Sequence, residues 1–165
     1  LRYIYREVQY FRQWWLWVLI LPWSLLTIWG MFQQLVLGIP FGTNPASDTG
    51  MLVIGLVFGI GFPITFYFMG LVTEIREDGI SVRFKPFHVS FRKFLWMEIE
   101  SIEVRKYNAF KEFGGWGIRW GAGGKAYNVA GDMGIQLTFK NGKKLLIGTA
   151  KEKEIMEAIK VARGE

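Results

Sequence analysis

Cysteine is absent from the 165 residues. Disulfides, zinc–thiolate sites, iron–sulfur clusters and a cysteine nucleophile are therefore excluded, and the chain suits a reducing cytoplasm. Histidine occurs once, as His88. A lone imidazole beside Pro86 and Phe87 reads as a surface or half-buried loop residue, because a metal site needs several His, Cys or clustered carboxylates. Charge is also missing from a long stretch: residues 13–72 hold one charged residue, Asp48. The two apolar runs within that stretch contain no Asp, Glu, Lys, Arg or His, which argues against a proton relay, an ion path and a transporter.

The first run, 14–38, reads WWLWVLILPWSLLTIWGMFQQLVLG, and the second, 51–71, reads MLVIGLVFGIGFPITFYFMGL. About 20 apolar residues at 1.5 Å each cross a hydrocarbon core of roughly 30 Å. The pattern predicts a transmembrane helical hairpin over 13–72, with spans at about 14–37 and 51–71. The first run is too long for a cleaved leader. Trp14, Trp15, Trp17, Tyr67 and Phe68 form an interfacial aromatic belt. Residues 38–50 between the runs carry no Lys or Arg, whereas Arg2, Arg6 and Arg12 precede the first run and a basic segment follows the second. The positive-inside rule then places both termini in the cytoplasm. Gly55 and Gly59 form a G-x-x-x-G pair, a candidate helix-packing face within the hairpin or against another subunit. Residues 1–12, LRYIYREVQYFR, put Ile4, Val8 and Phe11 on one helical stripe. They read as an amphipathic helix, lying in the interface or continuing the first span.

Past residue 72 the period changes to two. Ile80, Val82 and Phe84 alternate with Ser81, Arg83 and Lys85, the pattern of a half-buried strand. Short strands are also predicted at 72–76, 89–91, from Trp96 to Val104, and at 116–120. Ile135, Leu137 and Phe139 lead to Asn141-Gly142, a type I′ hairpin signal, and Lys143 to Ile147 return. Thr149 and Glu152 have capping-box spacing before a helix of about 150–163 that Gly164 closes. The glycine-rich stretch GGWGIRWGAGG, 114–124, lacks the spacing of a phosphate-binding loop and reads as tight turns.

The segments TEIREDGISVRFKPF, WMEIESIEV, FGGWGIRW, AYNVAGDMGIQLTF and NGKKLLIGT with the closing helix resemble the bacterial pleckstrin-homology-like (PH-like) domains of small two-span membrane proteins. The resemblance covers residues 71–163 and implies a prokaryotic plasma-membrane protein with a cytoplasmic PH-like domain at 73–165. The expected fold is thus an α+β membrane protein. An N-terminal two-helix transmembrane hairpin precedes an antiparallel β-barrel or sandwich capped by a C-terminal helix.

No Ser/His/Asp set assembles, and Glu98, Glu100 and Glu103 read as a solvated face, so no enzyme, cofactor or small-molecule substrate is expected. Residues 73–165 carry 17 basic and 12 acidic residues. Arg83, Lys85, Arg92 and Lys93 flank the 86–90 loop and are candidate contacts for anionic lipid, each worth about 1 kcal/mol near an acidic leaflet. Trp116, Trp120 and Tyr127 are candidate protein-contact aromatics. The expected function is a membrane-anchored, non-catalytic interaction or scaffold protein with a protein partner or a second copy. The alternatives are a headgroup sensor and an enzyme of unrecognised type. With a bilayer as its ready anionic partner, the domain is not expected to bind nucleic acid.

Overall fold

The computed structural model describes residues 2–164. The chain divides into two compact units, Phe11–Phe68 and Leu1–Tyr10 with Met69–Glu165.

The first unit is a pair of helices, α1 (Trp14–Leu35) and α2 (Asp48–Phe68), each long and apolar enough to cross a membrane. The Ser47 side chain caps α2 by accepting the Gly50 N–H at 3.1 Å, and Asp48 sits in the first turn, where the helix dipole favours an anion. The Gly55–Gly61 stretch of α2 is wound as a π-helix. Pro63 has no N–H to give the Gly59 carbonyl four residues back; the Ser24 hydroxyl of α1 donates to that carbonyl instead. A Cβ on Gly55 would lie 2.5 Å from Met31 Sδ, and one on Gly59 2.6 Å from Ile28 Cγ1. Both glycines thus let α2 approach α1 closely. Gln34 secures the connection by donating to the Ala46 carbonyl at 2.8 Å and to Asp48 Oδ1 at 2.9 Å.

The second unit contains nine strands among the described residues, in two open sheets. One has the order β1 (Tyr3–Tyr10), β2 (Gly70–Arg76), β3 (Gly79–Lys85), β4 (Arg92–Leu95). The other has the order β5 (Ile99–Lys106), β8 (Met133–Phe139), β9 (Lys144–Gly148), β7 (Gly124–Asn128), β6 (Gly117–Gly121). A short helix, α3 (Ala109–Phe113), covers one face of the second sheet with Tyr107, Ala126 and Leu146, and α4 (Glu152–Arg163) buries Ile155, Ala158 and Ile159.

Several expectations are corrected. No barrel closes, and the pairing is not wholly antiparallel, since β7 runs parallel to β9. The N-terminal segment is a strand rather than an amphipathic helix. Its Tyr, Ile and Val residues suit a pleated edge, but its inward-facing Glu7 is polar, which hides the period of two. Glu7 is buried and accepts from Thr149 Oγ1 at 2.6 Å and the Ala150 N–H at 2.9 Å. Thr149 is therefore not the helix cap; Lys151 occupies that position, with no side-chain cap bond. The Asn141-Gly142 hairpin forms, but not as a type I′ turn. Gly142 alone takes positive φ, while Asn141 Oδ1 accepts the Lys143 N–H at 3.0 Å, and Lys140 joins a three-residue loop. The strand expected at 89–91 lies instead at β4, and β7 is a strand that the local sequence pattern does not mark. At its other end α4 closes on Gly164 in the left-handed conformation.

Candidate functional site

The two sheets meet through ring contacts. His88 lies edge-on to Tyr127 at 5.4 Å, and Phe94 of β4 lies 5.6 Å from Phe139 of β8. Register assigns the faces. Arg92 pairs with Val82 and Phe94 with Ile80, so both share the face of buried Ile80, Val82 and Phe84. On the second sheet Lys125 and Tyr127 align with Leu145 and Ile147.

Where these faces part, a groove of about 900 Å³ opens. Phe94, Tyr127, Phe139 and Leu145 line it with apolar surface, and Met97 adds an exposed thioether. Six cations also line it: Arg92, Lys93, Lys125, Lys140, Lys143 and Lys144, against a single acid, Glu98. Glu98 is engaged locally. Its Oε2 accepts the Leu95 N–H at 3.2 Å, and its carbonyl accepts the Lys140 N–H at 3.0 Å, which fastens the β8–β9 turn beside β4. Lys93 pairs with Asp78 at 3.3 Å, and the Lys125 ammonium lies 4.8 Å from both the Trp120 and the Tyr127 ring. Among the described residues Lys125, Lys140, Lys143 and Lys144 form no ion pair. Their charge is left to act outward.

A second depression of about 650 Å³ shares Lys125, Lys143 and Lys144 and adds Trp120 and the Gly121–Gly124 turn. This tight turn is the role of the glycine-rich stretch. A Cβ on Gly121 would overlap the Glu112 carbonyl, and Gly124, at φ 98°, abuts the Lys144 carbonyl.

His88 is buried, beyond the half-buried loop position expected of it. The Phe84 N–H lies 3.2 Å from its Nδ1, and Arg92 Nε lies 3.2 Å from its Nε2. A neutral imidazole has one bare nitrogen. With N–H donors facing both ring nitrogens, the site disfavours a second ring proton. Burial first, then the Arg92 and Lys125 charges, holds His88 below its ordinary value of 6.5. This imidazole braces the 86–91 loop, and the Arg83 Nε–H donates to its carbonyl at 3.1 Å.

The four basic residues singled out from sequence do not converge. Arg92 and Lys93 line the groove, but Arg83 and Lys85 alternate onto the opposite face of β3 from Val82 and Phe84. Of the candidate aromatics, Tyr127 is buried beneath the groove and Trp116 packs on the cluster of Tyr107 and Phe113. Only Trp120, at 69%, is largely exposed, with the Lys125 ammonium over its ring. Lys125, Lys140, Lys143 and Lys144 were missed. The Lys143-Lys144 pair beside Asn141-Gly142 was the visible hint, but nothing local joins it to Arg92. Among the described residues no three of His, Asp or Glu gather as a metal site.

The chain belongs to DUF6141, a family of unknown function whose model matches residues 1–164. No curated protein matches it, and no solved structure does.

Proposed function

We propose that this chain is a membrane-anchored, non-catalytic interaction protein whose PH-like sheet unit binds an acidic membrane component through the cationic groove. The carrying observation is the groove itself, where six cations from β4, β7, the β8–β9 turn and the start of β9 face one already engaged acid. Near an acidic bilayer each such cation contributes about 1 kcal/mol.

The distribution of polarity along α1 supports the anchor. Its buried stripe is Ile20, Ser24, Thr27, Gly30 and Gln34, while Val18, Leu19, Leu25 and Trp29 are exposed. A core helix of a soluble protein has the reverse arrangement. Small and polar residues toward the neighbouring helix and apolar ones outward suit a lipid solvent. The absence of Lys and Arg between the helices favours both termini on the cytoplasmic side, and the PH-like resemblance implies a prokaryotic plasma membrane. The PH-like reading rests on the sequence resemblance over residues 71–163.

The test uses the full chain in phosphatidylcholine nanodiscs, mixed with vesicles containing an acidic phospholipid. Co-flotation is expected and should weaken at least tenfold in a triple variant, Lys125→Glu, Lys143→Glu and Lys144→Glu. Undiminished flotation of that variant would remove the groove as the binding surface.

A second reading, an accessory subunit held to a protein partner, is favoured by the exposed Trp120 ring beside Lys125. Crosslinking in native membranes that captures one stoichiometric protein, lost in Trp120→Ala, would move the conclusion there.

A further inference from the structure

The groove separates two chemistries by depth. Its rim is cationic, and its floor is hydrocarbon and aromatic, with Phe94 against Phe139 and buried Leu145 beside them. A free phosphate or a bare headgroup would satisfy the rim and leave the floor wet. An acidic protein surface would meet the rim with carboxylates, and would need an apolar side chain beside them to reach the floor. A lipid joins an anion to a hydrocarbon chain in one molecule. The volume, about 900 Å³, lies within the roughly 300–1,000 Å³ of ordinary small-ligand sites. Met97, 72% exposed at the edge, is an adaptable apolar contact of the kind that accepts chains of varied shape.

We infer that the groove takes a single anionic lipid, with its phosphate against Lys125, Lys143 and Lys144 and one acyl chain laid over Phe94 and Phe139 into the parting of the sheets. This rests on the proposal that the groove binds an acidic membrane component, and adds that the ligand enters with its chain. Moving a chain from bilayer to groove exchanges one apolar medium for another, so the charge supplies the preference and the floor makes chain entry permissible. The rim should therefore discriminate phosphatidic acid from phosphatidylcholine of the same chain length.

Two photoactivatable phosphatidic acids separate the possibilities, one with its diazirine beside the headgroup and one with it at the chain end. Each is incorporated with the full chain in phosphatidylcholine nanodiscs, illuminated, and mapped by peptide mass spectrometry. Both probes are expected to label residues 92–98 and 139–145. Labelling there should fall at least fivefold for matched phosphatidylcholine probes and for Lys143→Glu with Lys144→Glu. Groove labelling by the headgroup probe alone would overturn chain entry and leave the anionic groove standing. Labelling of neither peptide by either probe would overturn both.

Discussion

Protonation of His88 is opposed by burial and by Arg92 and Lys125, so the folded protein keeps its imidazole neutral to lower pH than the unfolded chain does. The unfolded chain binds the proton first as pH falls through about 6.5. The stability tied to neutral His88 is therefore present above that pH and lost on acidification toward the depressed folded value. The thermal midpoint of the full chain in zwitterionic nanodiscs should drop between about pH 7.5 and 5.5, and His88→Asn should flatten that slope. Glu7 acts at the same scale. Glu7→Ala leaves the Thr149 hydroxyl and Ala150 amide without their acceptor, at about 1–3 kcal/mol for the buried Thr149 hydroxyl. Hydrogen exchange at residues 149–156 should quicken in Glu7→Ala and partly recover in Glu7→Gln, which keeps a carbonyl oxygen. Nothing local marked the role of Glu7, because Thr149 and Ala150 lie more than 140 residues away.

The helical pair depends on small residues where it touches. Gly59→Leu drives a side chain into Ile28, and Ser24→Ala removes the donor to the Gly59 carbonyl. Interhelical hydrogen bonds in membranes contribute about 0.6 kcal/mol on average, up to about 1.7. Ser24→Ala should lower the detergent unfolding midpoint slightly and Gly59→Leu more. Equal midpoints for Gly59→Leu and the parent would refute close packing there. On the sheet side, β1 pairs with β2 along its length. Removing residues 2–10 strips that pairing and the Glu7 contacts, leaving the β2 edge unpaired. The shortened chain should aggregate on size-exclusion chromatography. A boundary at residue 73, natural from hydropathy, would discard β1 and divide β2. Chain order conceals that the sheet unit is assembled from both sides of the helical pair.

For the whole molecule, attraction of the groove to acidic lipid should be salt-dependent. Raising ionic strength from about 0.1 M to 1 M shortens the screening length from about 10 Å to about 3 Å. Co-flotation should fall steeply over that range, while the triple lysine variant changes little. Salt-insensitive binding would point to an apolar or protein contact instead. The sequence by itself determined two apolar helices, a strand-rich remainder, the Asn141-Gly142 hairpin and the closing helix. Each of these follows from hydrophobic periodicity or turn chemistry within a few neighbouring residues. Only the tertiary structure decided that β1 joins the sheet, that the sheets stay open, and that Arg92 stands opposite Lys125, Lys143 and Lys144 while Arg83 turns away. Pairing register and strand parity set those outcomes, and both depend on contacts between residues far apart in the chain, which local pattern does not encode.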